Sequence, residues 1–453
     1  MKGHPAATTG YRREIDGLRA IAVLGVILHH AGAGWLPGGY GGVDVFFVIS
    51  GFLIGGIVIA EREAGRFTYR GFYARRARRI LPALVAMILV TLPFAWVLMT
   101  PEQLRYFGGG ALSSLLFLSN VWFYQRIDYF NPRAVEDPLI HTWSLGVEEQ
   151  FYILLPILLL LCLRFGRRAT AAVLTLLAAA SLAWAVASSA ALPMEAFYLL
   201  HTRMWELLAG VLVAMARPGL GAWAPAWRAG LATAGLALVL AALALTPPLT
   251  PWPGLWTLLP VVGTALVVGL GDAASPARAL LSLRPVVWIG LVSYSAYLWH
   301  QPLLGFLALE GWHPRRLPEV LTILAATLAL AALSWRFVEE PFRRGRLPRR
   351  LGRGLLATGM AAIGAFAVGG HVTEGYPARL PPEVVAITDV DALRPPSYRQ
   401  CLDVRRDGGP VRELADSCRH GAEGPPQIAV WGDTTPRSWL HRWVRRWPRT
   451  GCR

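Results

Sequence analysis

The sequence is short of charge. Only 16% of its 453 residues are charged, whereas 54% are hydrophobic and the mean hydropathy is +0.43, a balance that soluble globular proteins rarely show. It also lacks the metal-binding patterns CxxC and HExxH, so we expect no bound metal. We find no cleavable signal peptide, because about fifteen polar residues precede the first apolar run, which contains charges and lacks a small-residue cleavage site. The composition therefore indicates a membrane protein.

Long apolar runs are what the sequence has in abundance. A helix needs about 20 mostly apolar residues to cross the roughly 30 Å hydrocarbon core of a bilayer. Runs of this kind predict an all-α polytopic membrane protein, with about 10 core transmembrane helices and an eleventh that leads to a short exported C-terminal segment. The predicted spans are 15–33, 40–60, 80–99, 144–163, 169–190, 197–216, 228–246, 255–270, 286–309, 317–337 and 354–370.

One further segment leaves two topologies open. Residues 105–123, "RYFGGGALSSLLFLSNVWF", are less apolar and rich in glycine, so we interpret them as interfacial or re-entrant. If this segment spans the bilayer, the orientation of everything after it inverts. Without it, the strongly basic loops all fall on one side, which the positive-inside rule assigns to the cytoplasm. These loops are 61–79, 164–168, 216–228, 275–285 and 343–353.

Charge placement therefore predicts a cytoplasmic N-terminus and an extracytoplasmic segment from residue 371 onward. The net charge of +16 is explained by topology, and we expect no nucleic-acid partner. We divide the chain into a membrane domain over 1–345, a linker with an extra transmembrane helix over 346–370, and an extracytoplasmic segment over 371–453.

The first predicted span carries ionisable residues towards both ends. In "LRAIAVLGVILHH", Arg19 and His30 lie within about 20° of one another and about 16 Å apart along the helix, at about 100° and 1.5 Å per residue. Asp16 is within about 60° of that face, whereas His29 is turned away by about 100°. Ionisable groups inside a bilayer usually face a cavity or a partner. Alternatively, Arg19 reaches the inner surface and His30 lies near the outer one.

Later spans carry polar residues at helical spacing. The stripes comprise His141, Ser144, Glu148 and Tyr152, with Glu149 adjacent, in "HTWSLGVEEQFY"; Arg203 and Glu206 in "HTRMWELLAG"; and Ser293, Tyr297 and His300 in "SYSAYLWHQP". Arg203 and Glu206 could instead form an internal ion pair, and Tyr297 could be a hydrogen-bonded core residue. Together the stripes indicate a polar interior shared by several helices, which is typical of a functional site.

These motifs, in this order, resemble those of the acyltransferase-3 family, polytopic O-acyltransferases that modify bacterial surface glycans. The resemblance covers roughly residues 11–345. It rests on "EIDGLRAIAVLGVILHH", "GGYGGVDVFFVISGFLI", "RRARRILPA", "HTWSLGVEEQFY", "RMWELLAG", "SYSAYLWHQP" and "RFVEEPFRR". It implies that His30 is the essential histidine and Arg19 its partner in the first span. It also makes Glu148, Glu149, Arg203, Glu206 and the segment from Tyr297 to His300 candidates for a catalytic tunnel.

The chemistry implied by this resemblance suits these residue types. Acyl transfer from a thioester to a sugar hydroxyl needs a general base and a group that stabilises the oxyanion. Histidine has a pKa near operating pH, so we predict that His30 is the base, although transient acylation of His30 remains an alternative. We also predict catalytic roles for Arg19, Glu148 and Glu149.

Arginine suits a phosphorylated donor, because its planar fork matches phosphate oxygens. Arg19 could therefore meet a donor that enters from the cytoplasm, assisted by the arginines at 75–79. The predicted substrate-binding residues are Asp16, Arg75, Arg76, Arg78, Arg79, His141, Arg203, Glu206, Ser293, Tyr297 and His300. For the cluster Arg75, Arg76, Arg78 and Arg79, a purely topogenic role is the alternative.

The resemblance further implies a bacterial inner-membrane location, an acyl-CoA donor, most simply acetyl-CoA, and no bound cofactor. Expected acceptors are lipopolysaccharide O-antigen, peptidoglycan, exopolysaccharide, a lipid-linked glycan or a small secreted metabolite, and longer acyl chains are an alternative to acetyl. A transporter of acyl groups or lipid-linked sugars would also have a polar tunnel. Many transporters contain inverted repeats, and we find no convincing internal repeat in the sequence.

The cysteines and the C-terminal region give separate predictions. Cys162, in an apolar run, is typical of a small core residue. Cys401 and Cys418 lie in the predicted exported segment, where we expect a disulfide, with two free thiols as the alternative. Further on, "QIAVWGD" resembles the first strand of an SGNH-type hydrolase-like domain, but Thr434 and Thr435 stand where Ser and His are expected. We expect a truncated, disordered and inactive remnant produced by a frameshift; the alternative is a genuine short linker domain.

Overall fold

The computed structural model describes residues 11–126, 136–247 and 250–388. Residues 1–379 form one unit, and the described ranges contain helices and no strand, which confirms the predicted all-α class. A second unit covers residues 380–453, and its described part contains one short helix. The predicted disulfide between Cys401 and Cys418 lies outside the described residues, as does the SGNH-like stretch at 427–437.

The helices follow the predicted apolar runs closely. They are α1 Arg13–His30, α2 Gly42–Glu63, α3 Tyr69–Leu98, α4 Pro101–Leu115, α5 Ser119–Tyr124, α6 Thr142–Cys162, α7 Arg167–Ser188, α8 Pro193–Tyr198, α9 Leu200–Leu220, α10 Pro225–Leu245, α11 Leu258–Leu270, α12 Pro276–Leu281, α13 Arg284–Leu291, α14 Ser293–Leu309, α15 Leu317–Ser334, α16 Glu340–Arg343, α17 Arg349–Val372 and α18 Pro382–Thr388.

Eight helical segments of the described chain are long and apolar enough to cross a membrane. A shorter apolar helix covers Leu255–Leu270. Two predicted spans fall outside this set. The span 15–33 corresponds to α1, which begins with four closely spaced charged residues. The span 286–309 is divided between α13 and α14, and α14 is only 17 residues long. Both α1 and α14 pack against several other helices, and most of their residues are buried or half-buried, so neither needs a uniformly apolar surface.

Contacts between helix ends define the two faces of the bundle. At one face, Arg167 Nη1 lies 2.6 Å from Glu63 Oε1 and joins the start of α7 to the end of α2. At the other, the backbone N–H of Gly38 donates to the carbonyl of Leu243 at 3.0 Å and joins the loop after α1 to the end of α10. The predicted basic loops adjoin the first face, which we call the basic end.

The ambiguous segment 105–123 forms two short helices, α4 and α5, with a break between them. Phe117, in the break, has φ 57°. Beside it, the Ser114 hydroxyl lies 2.8 Å from that of Thr142, and the Ser119 hydroxyl donates to the Thr142 carbonyl at 2.7 Å. The chain thus reaches the start of α6 and turns back, as a re-entrant segment does.

Small residues bring α2 and α9 into close contact. A Cβ atom on Gly51 would lie 1.8 Å from the carbonyl oxygen of Leu207, and one on Gly210 would lie 2.1 Å from that of Val48. Glycine at both positions allows the two backbones to approach, as small residues commonly do between membrane helices. This contact places polar residues of α2 and α9 opposite each other.

Candidate active site

A cavity lies between α1, α2, α3, α6 and α14. Its walls combine apolar side chains, such as Phe46 and Leu53, with polar groups from every one of these helices. The polar lining residues are Arg19, Ser50, Arg76, Arg79, Thr142, Ser144, Glu148, Tyr152, Ser293, Tyr294 and Tyr297. Largely apolar pockets with a few convergent polar groups are the usual form of a small-molecule site.

Three arginines line this cavity: Arg19, Arg76 and Arg79. Arg19 Nη1 lies 3.5 Å from Asp16 Oδ1, and Asp16 also accepts a hydrogen bond from Tyr11 at 2.8 Å. We call Arg19, Arg76 and Arg79 the arginine cluster. It presents several guanidinium groups to one enclosed space, which suits an anionic ligand.

The other two predicted arginines of α3 do not line the cavity. Arg75 is exposed and pairs with Glu61 at 2.7 Å, and Arg78 is also exposed. Helical periodicity explains the difference: residues 76 and 79 are three apart and lie on one face of α3, whereas 75 and 78 lie on a neighbouring face.

The adjacent carboxylates of α6 have different surroundings. Glu148 lines the cavity, and its Oε1 accepts a hydrogen bond from the Ser50 hydroxyl at 2.7 Å. Glu149 is buried, and its Oε1 lies 3.3 Å from Nη2 of Arg76, whose guanidinium lies 4.3 Å from the centre of the Tyr152 ring. Glu149 therefore forms an ion pair with Arg76 of the arginine cluster, whereas Glu148 faces the cavity.

Three histidines meet beyond the cavity: His30 at the end of α1, His141 just before α6 and His300 in α14. Nδ1 of His30 lies 3.1 Å from Nε2 of His300, and their ring planes are within 8° of parallel with centroids 5.3 Å apart. The ring of His141 lies edge-on to that of His300, with centroids 5.4 Å apart. His141 and His300 are buried, whereas His30 is half-buried. We call these three residues the histidine cluster.

Tyr297 links the cavity to the histidine cluster. It lines the cavity, and its ring centroid lies 5.3 Å from that of His300. Its hydroxyl donates to the backbone carbonyl of His141 at 2.9 Å and lies 2.6 Å from the Ser144 hydroxyl. One face of α14, predicted from the spacing of Ser293, Tyr297 and His300, thus runs from the cavity to the cluster.

Arg203 and Glu206 belong to a separate buried group behind the cavity wall. Arg203 Nη1 lies 3.0 Å from Asp44 Oδ1 and 3.1 Å from Glu206 Oε1, and all three side chains are almost fully buried. We call them the buried triad. Phe47 separates them from the cavity, since it lines the cavity and also lies under the Arg203 guanidinium. The substrate-binding role predicted for Arg203 and Glu206 stays a prediction.

The loop that leads to His141 contains a half-buried carboxyl group, that of Asp137, outside the spans. Burial raises the pKa of Asp137 from 3.8 to about 6, against the opposing effect of hydrogen bonds from the backbone N–H groups of Leu139 and Ile140. Asp137 Oδ1 accepts from Leu139 at 2.8 Å, and its backbone carbonyl accepts from Gln301 Nε2 at 3.1 Å. The loop is therefore fastened to α14 next to His300.

The sequence interpretation missed Asp44, Ser50 and Tyr294. Asp44 had a visible signal, since it is the one acidic residue within the apolar run at 40–60, and such residues are usually functional or paired. Ser50 and Tyr294 had no comparable signal, because hydroxyl residues are common in membrane helices. Cys162 is a free, half-buried cysteine at the end of α6.

No group of three or more His, Cys, Asp or Glu side chains in the described ranges could hold a metal ion. The absence of a bound metal or cofactor stays a prediction from the sequence.

Comparison with known proteins gives a family and several relatives. Residues 12–336 match the family described as an acyltransferase domain. The chain is 33% identical over 357 residues to the peptidoglycan O-acetyltransferase OatA of Listeria monocytogenes, covering 74% of this chain and 57% of that protein. It is 36% identical over 349 residues to the putative peptidoglycan O-acetyltransferase YrhL of Bacillus subtilis, covering 73% and 54%.

A third relative is the O-acetyltransferase OatA of Staphylococcus aureus, 31% identical over 354 residues, with 74% of this chain and 57% of that protein covered. The chain therefore spans a little more than half the length of the curated relatives it matches. No solved structure matches.

Proposed function

This chain belongs to the acyltransferase-3 family, whose domain covers residues 12–336, and from this premise we propose that it is a membrane O-acetyltransferase. In this proposal it moves an acetyl group from acetyl-CoA on the cytoplasmic side to a hydroxyl of a glycan on the outer side of the bacterial inner membrane. The basic end faces the cytoplasm, in accordance with the positive-inside rule.

The observation that carries this proposal is that the polar interior has an arginine cluster towards one end and a histidine cluster towards the other. The arginine cluster lines the part of the cavity nearer the basic end, and the histidine cluster lies about 16 Å further along α1, the rise of eleven helical residues. Guanidinium groups suit the phosphates of coenzyme A, and an imidazole suits proton transfer. A donor that is held by phosphates at one end and reacts at the other fits this arrangement.

The reaction at the histidine cluster has a simple proton balance. His30 takes the proton of the acceptor hydroxyl as the oxygen attacks the thioester carbonyl and a carbon–oxygen bond forms. The carbon–sulfur bond then breaks, and the departing thiolate takes that proton from the His30 imidazolium. A variant in which the acetyl group rests first on His30 uses the same residue as nucleophile.

The relatives favour peptidoglycan as the acceptor. Two of the three are named as peptidoglycan O-acetyltransferases, one of them as putative, so we propose a glycan of the cell wall rather than lipopolysaccharide.

Acetyl transfer by the purified protein in lipid nanodiscs, from radiolabelled acetyl-CoA, tests this function. We expect label in soluble peptidoglycan fragments, little in lipopolysaccharide, and none in either when His30→Ala replaces the wild type. The control is His371→Ala, at an exposed histidine near the end of α17 and outside the matched domain, which should retain full activity.

Two outcomes contradict the proposal. Wild-type transfer by the His30→Ala variant would exclude His30 as base or nucleophile. In proteoliposomes, passage of label into the lumen with no ester formed on any acceptor would support a transporter instead.

A further inference from the structure

His300 stands between the proposed base and a backbone carbonyl. Its Nδ1 lies 2.6 Å from the carbonyl oxygen of Tyr297, and its Nε2 lies 3.1 Å from Nδ1 of His30. The side chain is fully buried, and the two imidazole planes are within 8° of parallel. Each ring nitrogen of His300 therefore has one defined hydrogen-bond partner.

The carbonyl decides where the proton of His300 lies. A carbonyl oxygen only accepts hydrogen bonds, so Nδ1 of His300 must carry the hydrogen. In a neutral imidazole one nitrogen donates and the other accepts, which leaves Nε2 of His300 as an acceptor. Within the described chain, the neighbours of this ring are other histidines, a tyrosine and backbone carbonyls, whereas a buried imidazolium needs a paired charge.

The acceptor on His300 in turn decides the tautomer of His30. Because Nε2 of His300 accepts, Nδ1 of His30 must donate, and the lone pair of neutral His30 is then on Nε2. We propose that His300 is a positioning residue that holds His30 as the Nδ1–H tautomer and so makes Nε2 the basic nitrogen. This inference rests on the proposed function for its catalytic meaning, although the tautomer itself does not.

The same bond serves the proposed reaction. When Nε2 of His30 takes the proton of the acceptor hydroxyl, Nδ1–H continues to donate to His300, so no hydrogen bond has to be rearranged as the charge develops. The proton then passes from Nε2 to the thiolate of coenzyme A. A second residue that fixes the tautomer and orientation of a catalytic imidazole is a recurring device in acyl transfer and metal sites.

Tertiary contacts hold this arrangement rigid. Tyr297, whose carbonyl orients His300, is anchored through its hydroxyl to His141 and Ser144 on the other side of the cavity. The start of α6 and one turn of α14 are thus fixed together, and His30 is presented to them by α1.

Two substitutions at position 300 separate positioning from packing. His300→Leu removes the acceptor, whereas in His300→Gln the amide oxygen can replace Nε2 and accept from His30. We expect kcat to fall at least tenfold in His300→Leu, towards the roughly 10⁴-fold loss seen when a catalytic histidine has the wrong tautomer. We expect substantial recovery in His300→Gln and an unchanged KM for acetyl-CoA in both.

Nitrogen-15 NMR of histidine-labelled protein in nanodiscs, without donor or acceptor, reads the tautomer directly. The signals of His30 are identified by their loss in His30→Gln. We expect the Nδ1–H form in the wild type and in His300→Gln. We expect a shift towards the Nε2–H form, which isolated histidine side chains prefer, in His300→Leu.

The two proposals fail in different ways. An Nε2–H signal for His30 in the wild type overturns the positioning inference whatever the activity. The positioning inference is also overturned if His300→Leu keeps both the wild-type tautomer and the wild-type kcat. If the wild type shows the Nδ1–H form but acetylates no glycan, the proposed function fails while the assigned tautomer stands.

Discussion

Replacement of Arg203 by leucine should destabilise the protein strongly. The guanidinium of Arg203 is the group that both Asp44 and Glu206 face, at 3.0 and 3.1 Å, inside a region with almost no solvent exposure. Arg203→Leu leaves two carboxylates opposite each other without their cation. Removal of one partner from a buried ion pair typically costs about 3–5 kcal/mol, because the remaining charge is left uncompensated.

The aromatic surroundings of Arg203 add to this cost. Its guanidinium carbon lies 5.4, 5.6 and 5.8 Å from the ring centres of Phe47, Trp143 and Phe197. Such cation–π contacts contribute roughly 0.5–2 kcal/mol when desolvated. By contrast, Asp44→Asn leaves one carboxylate and one guanidinium, so we expect a loss of only about 1–2 kcal/mol.

The assay is the thermal midpoint of the detergent-purified protein, followed by size-exclusion chromatography after heating. We expect a drop of several degrees for Arg203→Leu, a smaller one for Asp44→Asn, and none for Arg70→Leu, a control at an exposed arginine of α3. If Arg203→Leu is as stable as the Arg70 control, the buried triad is not an electrostatic support of the α2 and α9 contact. Equal damage from Asp44→Asn would contradict the charge-balance argument.

Two further predictions concern the cavity and the loop before α6. Arg79→Ala should raise the KM for acetyl-CoA about tenfold or more, as expected for loss of a charge-assisted hydrogen bond, with kcat little changed, whereas Arg70→Ala should leave steady-state kinetics unchanged; an unaltered KM in Arg79→Ala would place the donor phosphates elsewhere. Burial raises the pKa of Asp137 to about 6, so folding favours the protonated carboxyl group. The stability that this group contributes is therefore full below pH 3.8 and is lost as pH rises through 6. Asp137→Asn should therefore raise the thermal midpoint relative to the wild type at pH 7.5, by at most the equivalent of about 3 kcal/mol, and leave it unchanged near pH 4. If the substitution changes the midpoint equally at both pH values, burial of the carboxylate is not the cause.

Residues related by helical geometry could be placed from the sequence alone. The spacing of Arg19 and His30 predicted a shared face with His29 turned away, and in the structure His29 instead bonds the carbonyl of Leu36 while His30 faces His300. The periodicity of Tyr297 and His300 was equally informative. Such relations depend only on rise and turn per residue, which every helix of this bundle shares.

Contacts between distant segments could not be placed in this way. Asp44 and Arg203 lie far apart in the chain, and only the glycine-mediated approach of α2 and α9 brings them together. Nor does the sequence decide which pair of arginines at 75–79 faces the cavity, because the rotation of α3 is set by its neighbours. Local propensity contains no information about either choice.

The separation of the two clusters constrains how one site can use both. Arg19 and His30 lie about 16 Å apart along α1, so the two side chains do not act on the same atoms of a small substrate. If they act as partners, as the sequence motif suggests, they contact different parts of one extended ligand. In the proposed function, a donor with a phosphorylated end and a long flexible arm would resolve this, because the arginine cluster would hold the phosphates while the thioester lay beside Tyr297 and the histidine cluster. Glu149 would then contribute through its ion pair with Arg76, and His300 through its contact with His30. In that proposal each functional group is oriented by a neighbour on another helix, which would make the packing of α1, α3, α6 and α14 part of the catalytic apparatus.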